Sequence, residues 1–239
     1  MRIKRGISLA LCLALAVFSA GCAQLSIVWN DAEPSRPESA SQTSADVWEE
    51  YSGEAYISLG SAPQFSAEEL LREPFESYSE LDRLGRCGKA EALCSRELMP
   101  TGERRSIGSI KPSGWHTVKY DFINGKYLYN RCHLIGWQLT GQNANPKNLI
   151  TGTRYLNTEG MLPFENMIAD YIKETGNHVL YRVTPDFRED ESVARGVQLE
   201  ALSVEDGGDG VCFNVYVYNV QPGVVIDYST GDSRAEDNN

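Results

Sequence analysis

In the segment PFENMIADYIKETG, apolar residues fall at Phe164, Met167, Ile168, Tyr171 and Ile172, the i, i+3, i+4, i+7, i+8 spacing of a single helical face. Pro163 suits the first turn, where its missing N–H is no loss, and Gly176 suits the stop. Downstream, HVLYRVTP, GVQLEALSV and VCFNVYVYNV carry the β-branched and aromatic residues of strands. Upstream, HTVKYDF and KYLYNRCH flank Ile123-Asn124-Gly125, and Asn-Gly between two such runs predicts a β-hairpin. The polar loop GQNANPKN then leads into a short apolar strand around Leu149 and Ile150. A further helix is predicted to start at Ser66, whose Ser-x-x-Glu spacing to Glu69 is a capping box, and to break at Pro74. With no internal repeat, these elements predict an α+β domain built on a mainly antiparallel sheet.

The two ends of the chain lack this periodicity. Residues 1–22 join a basic head (Arg2, Lys4, Arg5) to an apolar run from Ile7 to Phe18. That run is about twelve residues, where a membrane-spanning helix needs roughly 20, so it reads as a secretory signal. Ser19-Ala20-Gly21-Cys22 resembles a bacterial lipobox, with serine where leucine is usual, and predicts lipidation at Cys22. Ordinary cleavage with an incidental cysteine is the alternative. Residues 23–50, rich in Ser, Ala, Pro and Glu, read as a flexible linker. The main domain is expected at 51–230 and a frayed polar tail at 231–239. The protein is therefore expected to be exported from a bacterium, either secreted or held at the cell surface by a lipid in the membrane.

Charge changes the picture locally. The whole chain carries 22 basic and 33 acidic side chains. Removal of residues 1–21, with three basic and no acidic residues, leaves 19 against 33, a net charge of −14. Such a balance argues globally against nucleic acid as a partner. Residues 101–160, however, hold eight Lys and Arg against three acids, a basic region inside an acidic protein. Four cysteines remain beyond Cys22, namely Cys87, Cys94, Cys132 and Cys212, and export permits disulfides among them. Sequence does not choose between a local Cys87–Cys94 bridge and free buried thiols.

The basic region contains His133, one of three histidines. Cys132 and His133 are strand neighbours and point to opposite faces, so they do not make a thiolate–imidazolium pair with each other. A structural zinc site lacks the paired Cys or His ligands it needs. An ordinary hydrogen-bonded strand histidine is the bland alternative. Arg131, two residues earlier, shares the face of His133, and a guanidinium beside an imidazole suits an anion site and keeps the imidazole neutral. Downstream lie Asn148, Arg154, Asn157 and Glu165. Asn157 and Glu165 are eight apart and share a helical face if the helix begins near Asn157. Amide and carboxylate oxygens are hard ligands that suit Mg²⁺.

NRCHLIGWQLTG followed by NLITGTRYLN resembles the DNA/RNA non-specific endonucleases, the ββα-metal nucleases with a D-R-G-H signature. Within that family it is most similar to the branch of secreted streptococcal-type DNases and bacterial DNA-uptake nucleases, over roughly residues 75–230. The resemblance implies a ββα-metal finger. In it His133 would be general base and Asn157 the metal ligand, with Arg131, Asn148 and Glu165 as further active-site residues and Arg154 as a phosphate contact. It implies a Mg²⁺ cofactor, with Mn²⁺ able to substitute, and DNA as substrate, with RNA left open. Asn130 and Cys132 depart from the signature's aspartate and glycine, and Cys132 is expected to pack away from substrate. The competing function is a non-catalytic lipoprotein that uses a nuclease fold to bind nucleic acid or a cell-wall polymer.

Overall fold

The computed structural model describes residues 50–237. The signal-like segment, Cys22 and nearly all of the linker lie outside the described residues.

Six antiparallel strands make the main sheet, in the order β1-β8-β7-β6-β3-β2. They are β1 (Tyr56–Ser58), β2 (Glu76–Tyr78), β3 (Ala90–Cys94), β6 (Val179–Asp186), β7 (Gly196–Ser203) and β8 (Cys212–Tyr218). The three strand-like runs of the sequence are β6, β7 and β8, and the α+β expectation holds. Their side chains alternate with the pleat. Ala90, Ala92, Val179, Tyr181, Val183, Val197, Leu199 and Val217 belong to the main core. Arg182, on the other parity of β6, instead binds Glu69, Glu91 and Glu200 and lies over the Phe65 ring. That network ties α1 (Ala67–Leu70) to the sheet, and α1 carries the expected capping box at Ser66 and Glu69.

Helix α3 (Leu162–Thr175) covers the core face of the sheet. Pro163 lies in its first turn and Gly176 ends it in the left-handed conformation at φ 77°. Phe164, Ile168 and Ile172 are buried, each contributing about 1.5–3 kcal/mol. Met167 departs from the periodicity: it is 47% exposed, and Glu165 takes a buried place on that face. The apolar stripe is thus rotated away from Met167, and a carboxylate is drawn inside.

The hairpin expectation needs correction. Tyr120 to Lys126 do form a tight reversal, with Lys126 N–H donating to the Ile123 carbonyl at 2.8 Å. A short antiparallel pairing forms across it, with Tyr120 N–H donating to the Lys126 carbonyl and Leu128 N–H to the Val118 carbonyl around the bridge Lys119–Tyr127, but it does not extend into the next strand. Strand β4 (Tyr129–His133) pairs instead with β5 (Leu149–Thr153), in a register that sets Tyr129 opposite Thr153 and His133 opposite Leu149. The Asn-Gly chemistry specifies the turn but not the ladder partner. Between β4 and β5 lie α2 (Trp137–Thr140) and one 3₁₀ turn, and after β5 a π-helical turn, Leu156–Met161, runs straight into α3. Together, β4, β5 and this helix form the ββα unit. The expected frayed tail is also corrected: β10 (Ser233–Ala235) pairs antiparallel with β9 (Val224–Ile226).

Buried Asn219 anchors the two-stranded ribbon. Its Oδ1 accepts from Thr153 N–H at 2.8 Å, and its Nδ2 donates to the Thr151 and Ala194 carbonyls. All four described cysteines are free thiols, Cys212 exposed and the others buried, so no local Cys87–Cys94 bridge forms.

Candidate active site

A cleft of about 710 Å³ opens beside the ββα unit, and His133, Arg131, Arg154, Asn157 and Glu165 all line it. His133 ends β4 and is 6% exposed. Its Nε2 lies 2.9 Å from the Asn143 carbonyl oxygen. A carbonyl only accepts, so in the neutral ring Nε2 carries the proton and Nδ1 keeps its lone pair. The nearest polar neighbour of Nδ1 is Arg104 Nη2, at 3.4 Å. Burial depresses the His133 pKa below the ordinary histidine value, and the Arg104 charge depresses it further. Neither His116 nor His178 lines the cleft; they bind Thr230 and Glu205.

Two roles inferred from sequence change with these contacts. Arg131 does share the cleft with His133, but its guanidinium is engaged elsewhere. It donates from Nε to the Ile110 carbonyl and from Nη2 to the Gly108 carbonyl at 2.7 Å, and stacks on Trp115 at 4.0 Å. Arg131 thereby pins the irregular loop that forms one wall, and the cation beside the imidazole is Arg104. Asn148 is 0% exposed and does not line the cleft. Its Oδ1 accepts from Ile135 N–H at 2.8 Å and its Nδ2 donates to the Ile135 carbonyl at 2.9 Å. Fully buried and with its amide engaged at both ends, Asn148 holds the turn that follows His133 and does not reach the cleft.

Asn157 stands in the π-helical turn, its side chain partly exposed to the cleft and its Oδ1 3.2 Å from Cys132 Sγ. Cys132 is buried, as expected of a residue that packs away from substrate. Arg154 presents a buried Nε with no hydrogen-bond partner, and Asn130 a buried Nδ2 in the same condition. Both residues line the cleft, and the Arg154 guanidinium there suits phosphate oxygens.

A model of the family described as DNA/RNA non-specific endonuclease matches residues 68–205, more than half of the chain. The chain belongs to the DNA/RNA non-specific endonuclease family. Among solved structures, it is similar to NucA from Streptococcus agalactiae with magnesium bound, at 25% identity and TM-score 0.65, over 73% of this chain and 84% of that one. Sda1 nuclease with bound zinc shares the fold at 24% identity and TM-score 0.63, over 76% of this chain and 97% of that one. An extracellular endonuclease shares it at 21% identity and TM-score 0.57, covering 78% of this chain and all of that one.

The endonuclease's remaining cleft carboxylate is Glu165. Gly136 makes room for it, since a Cβ there would meet the carboxylate at 2.6 Å. Burial raises its pKa to about 7, while Arg104 and the Gly136 backbone pull the other way. Among the described residues, no group of three His, Cys, Asp or Glu gathers into a metal cage. The donors at hand are one amide oxygen and one carboxylate, hard ligands few in number. That set fits a cation such as Mg²⁺, which keeps most of its water.

Arg104 and Asn143 escaped the reading of the sequence. Both lie in irregular loops with no periodic pattern, and the only signal for Arg104 was its place in the basic stretch. Arg104 has a testable signature. Its charge disfavours the imidazolium and favours the carboxylate, so it lowers the pKa of both His133 and Glu165. A general-base role for His133 and a metal-side role for Glu165 would need the neutral imidazole and the ionised carboxylate, the forms that prevail above those pKa values. In Arg104→Gln both pKa values rise, and the acid limb of the kcat/KM profile should move to higher pH. A pH–rate profile of that variant with an unmoved acid limb would remove Arg104 from this electrostatic role.

Proposed function

We propose that the protein is an exported, sequence-non-specific endonuclease that hydrolyses DNA, and RNA by the same chemistry, with His133 as general base and a divalent cation held by Asn157. The observation that carries this reading is the tautomer of His133: Nε2 is committed to the Asn143 carbonyl, leaving Nδ1 unprotonated in a basic cleft, with the Arg104 guanidinium 3.4 Å away. A depressed pKa keeps that base unprotonated at neutral pH.

In the proposed reaction a backbone phosphate enters the cleft, drawn by Arg104 and Arg154. His133 Nδ1 takes a proton from a water aligned with the phosphorus, on the side opposite the departing 3′-oxygen. Arg104, 3.4 Å from that nitrogen, counters the charge that builds on the phosphoryl oxygens. Asn157, with the Glu165 carboxylate nearby, would hold Mg²⁺, which would supply Lewis-acid stabilisation of the developing negative charge. Arg131 and Asn148 act indirectly, the first by fixing the cleft wall and the second by fixing the turn after His133. Contacts of this kind address the phosphate backbone rather than base edges, which accounts for sequence-independent cleavage.

Export and lipidation at Cys22 belong to the same proposal and rest on the signal-like N-terminus. The direct test is to incubate the protein with plasmid DNA and with structured RNA in Mg²⁺ and to analyse the ends. DNA fragments bearing 5′-phosphate and 3′-hydroxyl, ready for ligation, are expected. Intact DNA and RNA after prolonged incubation would reject the activity, and 3′-phosphate ends would reject the mechanism.

A further inference from the structure

Cys132 lies within β4 and is 1% exposed. Its sulfur is 3.2 Å from Asn157 Oδ1 and 3.6 Å from Met161 Sδ. An amide oxygen only accepts, so the contact is an S–H···O bond with the thiol as donor. Among the described residues, this sulfur is the one hydrogen-bond partner of the Asn157 side chain.

Two neighbours enforce the contact. Gly152, on β5, has no side chain to share the space: a Cβ there would meet Cys132 Cβ at 2.6 Å and Leu156 Cδ2 at 2.8 Å. On the helix side, the Asn157 carbonyl accepts from Leu162 N–H, which holds the backbone of the π-helical turn. Strand and turn are thus both anchored, and the thiol meets the amide between them.

We propose that Cys132 is a positioning residue for the metal-holding amide: its thiol donates to Asn157 Oδ1, fixes the carboxamide rotamer and leaves that oxygen's second lone pair for a divalent cation. The inference rests on the reading that Asn157 holds the cation. A partner that orients a metal ligand without touching the metal commonly changes metal affinity by about 10–100-fold. A thiol is a weak donor, which places the effect at the lower end of that range.

The test titrates Mn²⁺ into the protein without nucleic acid, following the signal of free Mn²⁺ by electron paramagnetic resonance. The Mg²⁺ concentration that gives half-maximal cleavage serves as a second readout. Cys132→Ala should weaken Mn²⁺ binding by about tenfold. Cys132→Val, which fills the space without donating, should match it, so the result survives if one of the two variants misfolds. Cys132→Ser, which restores a donor, should bind within about twofold of the wild type. Equal loss in the serine, alanine and valine variants would assign the residue to packing alone. Wild-type affinity in the alanine and valine variants, with binding lost in Asn157→Ala, would overturn the role of Cys132 and spare that of Asn157. Wild-type affinity in Asn157→Ala would instead overturn the underlying metal assignment.

Discussion

Purified His133→Ala is expected to cleave plasmid DNA about 10²–10⁴-fold more slowly than the wild type, the span that a positioned general base supplies. The ring makes one short hydrogen bond, Nε2–H to the Asn143 carbonyl, and β4 keeps its five-residue pairing with β5 without it. The variant should therefore stay folded, which a thermal melt followed by circular dichroism will check. Its binding of uncleaved DNA should change little, because Arg104, Arg154 and the cleft walls remain. A folded His133→Ala protein that degrades plasmid at near wild-type rate would refute the assignment of the base. Loss of activity together with loss of the melting transition would call for His133→Gln, which retains a polar group near Asn143.

Asn157→Ala carries the second large effect. With one amide oxygen as the direct protein ligand, its removal leaves the cation only Glu165 acting through water, and cleavage at fixed Mg²⁺ should fall by at least about 10²-fold. Chelation is the companion experiment. Excess EDTA should stop cleavage, and Mg²⁺ or Mn²⁺ should restore it in the wild type. In Asn157→Ala restoration should need far more metal. The readout is initial rate against metal concentration on a supercoiled plasmid. Full activity in excess chelator would rule out a metal enzyme and leave Asn157 without the role given to it.

The parts of this protein legible in its sequence are those with local causes. The capping box at Ser66, the helix bounded by Pro163 and Gly176, and the runs that became β6, β7 and β8 follow from backbone preference and short-range periodicity. The types of the proposed catalytic residues were legible because one strand, one loop and one helix start carried them in order. Periodicity misled at Met167, since an apolar side chain on a stripe's edge is as readily left in water. It was silent about Glu165, whose burial depends on the bare Gly136 facing it across the fold. The Asn-Gly turn likewise was real, while the partner of Tyr129–His133 lay beyond a further helix.

The sequence by itself determined an α+β chain, the bounds of its long helix, three of the six strands of its main sheet and the residue types proposed to hydrolyse a phosphodiester. Strand parity even placed Arg131 on the side of His133. Only the tertiary structure decided which of those residues are free to act. It spent the Arg131 guanidinium on the Gly108 and Ile110 carbonyls, spent the Asn148 amide on Ile135, and brought Arg104 to the imidazole from 29 residues away. The physical reason is that secondary structure answers to neighbours a few residues off, whereas a polar side chain's role depends on which groups from distant loops satisfy its hydrogen bonds, and packing alone sets those.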